Sequence, residues 1–262
     1  MSTTTPTWLT QQVADSVATV TINHPPANVL TFQGLIELES IVDDLATNNQ
    51  IKVVIITGAG RFFIAGADIR MLAEIGSTQK GREMAQKGQG VFNKIEASSK
   101  PFIAAINGTC LGGGLELALC CHIRVAAESI QLGQPEINLG IIPGFGGTQR
   151  LHRLIGKSKA TELILTGDPI SSQEARTLGL VSQVFSPDDL LRQATELAGR
   201  IASKGQLAVQ AALKALQQGS ELGLRDGLRL EANLFGELCE SEDKQEGMTA
   251  FLEKRPPHFK DR

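Results

Sequence analysis

The chain has 262 residues, 42% hydrophobic and 20% charged, with a formal net charge of -3; this is enough apolar material for a sizeable core and excludes a disordered chain. So even a balance leaves no basic field to attract a phosphate backbone or an anionic lipid surface, and neither nucleic acid nor a membrane is expected as a partner. Glycine is plentiful at 27 residues while aromatics make up 4%, with no tyrosine, which points to close backbone approaches rather than stacking platforms.

The opening MSTTTPTWLTQQVADSV has no basic n-region and no long apolar stretch, and no Lys or Arg precedes Lys52. Neither a secretory nor a transit peptide is expected, and the chain reads as cytoplasmic. Residues 17–23, VATVTIN, alternate apolar and polar in the manner of a half-buried strand, followed by a turn at HPPAN. Thr31 is placed to cap a helix whose apolar residues Leu35, Ile36, Leu38, Ile41, Val42 and Leu45 recur at helical spacing until TNNQ. KVVIIT (52–57) is a continuous apolar run, as expected of a strand covered on both faces. A Gly/Ala loop, GAGRFFIAGAD, and a polar helical stretch over Ser77–Glu96 lead to a second such run, PFIAAI (101–106). Strand, helix and strand at these separations suit parallel neighbours. Two more short strands are expected at 122–127 and 129–133, and from Gly147 onward the chain reads as mostly helical, broken at GDPI, LGL, SPDD and Gly219.

The expected fold class is therefore α/β, built of repeated ββα-like units. Residues 1–199 would form the core and 200–262 a C-terminal helical region, whose Leu and Ala periods would pack on that core or on a neighbouring subunit. Cys110, Cys120, Cys121 and Cys239 show no CxxC spacing and read as small hydrophobes. The four histidines lack any ligand-pair spacing, so no metal site is expected.

Three glycine-bearing segments could carry chemistry: Ala65-Gly66-Ala67-Asp68, Gly108 to Glu116 around Gly112-Gly113-Gly114, and Gln134-Pro135-Glu136 through Thr148. Amides at a helix start lack intrahelical acceptors and sit at the positive end of the dipole, so the first two segments suit an anion or a developing oxyanion. Neither carries GK[ST], and no GxGxxG stands in dinucleotide register. Glycine alone fits tight turns and close helix packing equally well. Glu116 adds more, since Leu115, Leu117, Ala118, Leu119, Cys120 and Cys121 around it describe a buried helix, and a buried carboxyl needs a partner or a task. Glu136 sits in a loop after a short strand, and nothing in the sequence shows that the two meet. Two carboxyls flanking one water, with two oxyanion donors, suit chemistry next to a carbonyl.

Taken in order, VATVTINHPP, KVVIITGAGRFFIAGADI, KPFIAAINGTCLGGGLELALCCHIRVAAE, QLGQPEINLGIIPGFGGTQRLHRLIG, LTGDPISSQEARTLGLVSQV and EGMTAFLEKRPPHFKD resemble the crotonase, or enoyl-CoA hydratase/isomerase, superfamily over nearly the whole chain. The resemblance implies a crotonase-like ββα spiral and assembly as a homotrimer, or as a homohexamer made of two trimers. It implies the backbone N–H groups of Ala67 and Gly113 as the oxyanion hole, Glu116 and Glu136 as the catalytic pair, and Ala65, Gly66, Asp68, Gly112 and Gly144 as substrate-binding positions around them. The implied reaction is addition of water to a trans-2-enoyl-CoA thioester in β-oxidation or a related acyl-CoA pathway, with Glu116 the base at C3 and Glu136 the acid at C2. No metal or redox cofactor is implied, coenzyme A being part of the substrate. The alternatives are a double-bond isomerase or another acyl-CoA enzyme of the same fold and, in another class, a non-catalytic RNA-binding or assembly module.

Two departures stand out. NHPPANVL lacks the lysine that many members place before the first helix near the CoA phosphates, and His122 replaces the aspartate of the usual CD[IL]R segment, where it reads as a local cap or packing group. Lys254, Lys260 and Arg61 are candidates for the CoA phosphates and read equally well as solvated surface charges. Pocket walls are expected from the segment around Met71 to Gly90 and from the tail.

Overall fold

The fold opens with a hairpin whose first strand has no apolar signature. Strands β1 (Leu9–Ala14) and β2 (Val17–Ile22) pair antiparallel across Asp15 and Ser16, which both adopt left-handed backbone at φ 48° and 63°. That is the geometry a two-residue hairpin turn requires. Beyond Leu9, β1 is an exposed edge, so LTQQVA shows no alternation. The computed structural model describes residues 8–262, so residues 1–7 of the segment read above for targeting signals lie outside the described residues.

Helix α1 (Phe32–Thr47) starts where Thr31 Oγ1 accepts the amide of Gly34 at 2.9 Å. The chain then winds as a spiral. Strand β3 (Val53–Gly58) enters a large sheet and β4 (Phe62–Ile64) a small one, and helices α2 (Ile69–Ala73) and α3 (Thr78–Glu96) return the chain. The next turn repeats this with β5 (Phe102–Ile106), β6 (Thr109–Leu111) and α4 (Gly113–Cys120). The third places β7 (Ile123–Ala127) and β8 (Gln131–Gly133), a 3-10 turn at Pro135–Leu139, and helices α5 (Gly147–Ile155) and α6 (Lys157–Thr166). Strand β9 (Ile170–Ser171), helix α7 (Ser172–Thr177), strand β10 (Gln183–Phe185) and helix α8 (Pro187–Ala202) close the core, and α9 (Gln206–Ser220), α10 (Leu224–Leu238) and α11 (Glu242–Glu253) follow.

The large sheet runs β1-β2-β3-β5-β7-β10, parallel from β2 onward, and the small sheet runs β4-β6-β8-β9 with its first three strands parallel. The apolar run of β3 has a direct explanation. Val54 and Ile56 point into a core with Leu35, Leu38 and Val42 of α1 and Val91, Phe92 and Ile95 of α3, whereas Val53 and Ile55 point into a second core with Leu190, Ala194 and Ala198 of α8. Both faces are covered, so both residue parities are apolar.

Several expectations need correction. The segment read as a Gly/Ala loop holds β4, the second glycine segment holds β6, and β9 and β10 interrupt the region read as helical. Strands of two or three residues are too short to show a period, and pairing within a sheet creates them. The division at 199/200 falls inside α8, whose Ala202 is still core, so the helical extension begins at α9. The extension keeps Leu216, Leu224, Phe235, Phe251 and Leu252 exposed on the single chain, Phe251 at 81%. It is tied back by Gln217, whose side-chain amide meets the Glu96 carbonyl and His122 Nε2, and by Lys52, which pairs with Asp261 at 2.7 Å. His122 holds the backbone locally, its Nδ1 accepting the amide of Phe102 at 2.8 Å. Among the described residues no helix is long and apolar enough to cross a membrane.

Helix α4 lies tight against β4 at Gly114, where a Cβ would stand 2.5 Å from the Ile64 carbonyl oxygen. Backbone cannot yield as a side chain can, so Gly114→Ala is expected to lower stability by about 1–3 kcal/mol in urea unfolding. An unchanged midpoint would contradict this packing.

Candidate active site

Strands β4, β6 and β8 are parallel neighbours, so the segments that leave their carboxyl ends gather on one side of the small sheet. Ala67 follows β4, Gly113 opens α4 directly after β6, and Glu136 stands in the 3-10 turn after β8. This is the common place for a site in parallel α/β architecture. The β6-to-α4 corner turns on Gly112, at φ 54°, where a Cβ would also lie 2.8 Å from Glu136 Oε1. The turn requires glycine there, and a side chain would also displace the Glu136 carboxyl.

A cavity of about 430 Å³ lies at this end, with Ala67, Gly113, Glu116, Glu136 and Gly144 in its wall. Among the described residues, neither the Ala67 nor the Gly113 amide donates to an acceptor within the chain, although the flanking amides of Asp68 and Gly112 do. The rest of the wall is apolar, with Ile69, Leu72, Ile75 and Met84 from the segment after Asp68 and Leu139, Ile141, Ile142 and Phe145 from the segment after Glu136. Ile69, Leu139, Ile141 and Ile142 are exposed large hydrophobics, an arrangement that suits an apolar ligand rather than water.

Glu116 is 2% exposed, in a helix buried on every side. One oxygen, Oε1, accepts the amides of Phe145 at 2.7 Å and Gly147 at 2.8 Å. The other oxygen is left available for proton exchange. Burial pushes this carboxyl up to about 7, against the pull of the Gly147 and Phe145 amides and the Arg150 charge. Glu136 is likewise pushed up to about 7, by burial first and then by the charge of Glu116. Gln134, fully buried at 0%, sets the end of its side-chain amide 3.1 Å from both Glu136 oxygens, where its nitrogen can donate to the carboxylate, and it also packs against Gly147. Two adjacent carboxyls titrating near neutrality can hold one proton between them, leaving one acid and one base in the same cavity.

Other positions named from the sequence fall elsewhere. Ala65, Gly66 and Gly112 flank the wall without forming it, and Asp68 caps α2, its Oδ1 accepting the amide of Arg70 at 2.9 Å. Lys254 ends α11 at φ 55°, and the wall contains neither it nor Arg61 nor any other residue of the C-terminal helices. On the single chain, wall residues come from the loop after Glu136 as well as from the segment after Asp68. Sequence reading assigned no role to Gln134, Phe145 or Gly147; their signal was the GQPE and PGFGG segments, whose polar partners lie more than twenty residues away or in a turn.

The family model described as Enoyl-CoA hydratase/isomerase matches residues 12–262. A probable enoyl-CoA hydratase of Bacillus subtilis (strain 168) is 48% identical over 246 residues, covering 93% of this chain and 95% of its own. A crotonyl-CoA hydratase of Syntrophomonas wolfei is 45% identical over 247 residues, covering 94% and 95%. Among solved structures, an enoyl-CoA hydratase from Bacillus anthracis superposes with TM-score 0.93 at 41% identity, over 97% of this chain and 100% of that one.

The burial of Glu116 has a measurable consequence. A carboxyl raised from 4.5 to about 7 binds its proton more tightly in the native state than in the unfolded chain. The stability linked to that proton is complete below the unfolded value and is lost as pH rises through about 7, a total of about 3 kcal/mol. Glu116→Gln keeps an oxygen to accept both amides and removes the titration. Urea unfolding at about pH 5 and about pH 8 should show a steeper loss for the wild type than for the variant; equal losses would contradict the buried, raised carboxyl.

Proposed function

We propose the reaction from one premise: the chain belongs to the enoyl-CoA hydratase/isomerase family. It is an enoyl-CoA hydratase that adds water across the double bond of a trans-2-enoyl-CoA thioester to give the 3-hydroxyacyl-CoA. The observation that carries this reading is the pair of buried carboxyls, Glu116 and Glu136, each raised to about 7 in one apolar cavity beside two undonated amides.

The thioester oxygen lies between the Ala67 and Gly113 amides. Gly113 is the first residue of α4, so the helix end adds its partial positive charge where the enolate oxygen develops. Glu116, with Oε1 held by two amides, takes a proton from water on its other oxygen as the water oxygen bonds to C3. The π electron pair moves to the thioester oxygen and returns to C2, which receives the proton of Glu136. The order of charges is consistent, because Gln134 donating to Glu136 stabilises the carboxylate left behind. These steps use protons and electron pairs from water, substrate and the two carboxyls, and they call on no metal or redox cofactor. The exposed apolar faces of α9 to α11 support assembly as a trimer or as a pair of trimers. In such an assembly, Lys254 would reach CoA phosphates of its own or of an adjacent subunit.

With crotonyl-CoA, loss of the conjugated thioester absorbance is expected for wild type, with 3-hydroxybutyryl-CoA as product. Glu116→Gln and Glu136→Gln should each lower kcat by about 100-fold or more. Full activity in either variant would remove that carboxyl from hydration, and retention in Glu116→Gln alone, with β,γ-enoyl substrates shifted, would favour isomerisation. The kcat/KM profile should fall on both sides of about pH 7, the acid side losing the base and the alkaline side losing the acid. Chain character follows from the walls. A terminal carboxylate would be buried among Ile69, Leu72, Met84 and Ile142 near two glutamates, so an enoyl-CoA ending in a carboxylate should be at least about 10-fold poorer in kcat/KM than one ending in methyl. Equal use of both would contradict an apolar acyl site.

A further inference from the structure

Helix α3 carries a glycine that the chemistry described so far does not use. Gly88 is buried, and a Cβ there would stand 2.3 Å from Cδ1, 2.5 Å from Cε1 and 2.7 Å from Cγ of Phe145. The Phe145 ring therefore rests directly on the helix backbone. Its edge-to-face partner is Phe92, one turn on, at 5.8 Å between centroids and 87° between planes. Gln89 Nε2 donates to the Gly144 carbonyl at 2.9 Å. Farther along the same stripe, Glu96 pairs with Arg150 at 2.7 Å, and Arg150 Nη1 donates to the Phe145 carbonyl at 3.0 Å. One face of α3 thus holds the segment from Gly144 to Arg150 at several points. Within that segment are the two amides, Phe145 and Gly147, that fix Glu116.

A glycine in a helix interior costs about 1 kcal/mol relative to alanine, so its presence calls for a local reason. Gly90, two residues on, is exposed and a Cβ there would meet nothing within 4 Å. At Gly88 the reason is the ring. We infer that Gly88 is a positioning residue: by letting the Phe145 ring seat on α3, it sets the depth of the Phe145 and Gly147 amides and so the orientation of the Glu116 carboxylate. The inference rests on the reading of Glu116 as the base for its kinetic part only, because the seat itself is read from the titration of Glu116, whatever the reaction.

A methyl group at residue 88 has to push the ring off α3 toward Gly113, where a Cβ would stand 3.7 Å from Phe145 Cδ2, and the Phe145 backbone then shifts from its hydrogen-bonded place on Glu116. Longer amide hydrogen bonds favour the ionised carboxylate less, so the group should titrate higher. For Gly88→Ala we expect kcat lower by about 10- to 100-fold, KM within about twofold, and the acid limb of the profile moved up by about half a pH unit or more. Gly90→Ala, which alters the same helix without touching the ring, is expected to keep wild-type kinetics. Combining Gly88→Ala with Phe145→Leu gives the ring position room, and that double variant should recover at least about half of the logarithmic loss. Should Gly88→Ala fail to fold, Gln89→Ala loosens the same segment from an exposed position and should move the acid limb in the same direction with a kcat loss of about two- to fivefold. Infrared titration of the Glu116 carboxyl in Gly88→Ala and wild type reads the shift without turnover, so a failed hydratase reading and a failed seat are distinguishable. The inference is overturned if Gly88→Ala behaves as Gly90→Ala does, if its loss lies in KM with the acid limb unmoved, or if Phe145→Leu adds its own loss instead of relieving it.

Discussion

The site depends on one carboxylate oxygen accepting two backbone amides inside a protein core. Glu116 enters the interior on a helix whose every residue is buried, and a charge in that position is costly without partners. The Phe145 and Gly147 amides supply them from a turn that is itself held against α3. The arrangement fixes the side chain, leaves its second oxygen free, and makes the geometry of a turn after β8 inseparable from the acidity of a residue on α4. The spiral is what allows this, since it brings the ends of β4, β6 and β8 side by side although they are far apart in sequence.

The same burial supplies the chemistry. Both carboxyls are raised chiefly by loss of water, and Glu136 is raised further by the charge beside it. A polar cavity would let both ionise and would leave no acid at neutral pH. The apolar walls therefore do two things at once, holding an acyl chain and keeping a proton on one of two glutamates. Ala67 and Gly113 are small residues that leave their backbone amides open to the cavity, and the positive end of α4 faces it.

Much of this was legible in the sequence, and for physical reasons. The apolar runs of β3 and β5 announced strands covered on two faces, Thr31 marked a helix start by its capping oxygen, and Glu116 stood out because its neighbours are apolar at every position. What stayed hidden was whatever depends on pairing across distance. β1 is an exposed edge and β4 and β6 are three residues long, so none carries a pattern of its own. Gln134 is a polar residue beside a proline until the fold sets it under Glu136, and Gly88 is an unfavourable helix residue until the Phe145 ring is laid on it. The walls formed by Ile141 and Ile142 belong to a loop without period, and the tail supplies none of them on a single chain.

The central claim is that Glu116 and Glu136 share one proton near neutral pH because they are dry and adjacent. Infrared difference spectroscopy, with glutamate carboxyls isotopically labelled, counts protonated carboxyl groups directly as pH is raised. The account predicts a carboxylic acid band that persists at about pH 6, disappears by about pH 9, and shifts its titration downward in either single Glu→Gln variant as the neighbouring charge is removed. A spectrum with both carboxyls fully ionised at about pH 6, or a titration that neither substitution alters, would contradict it.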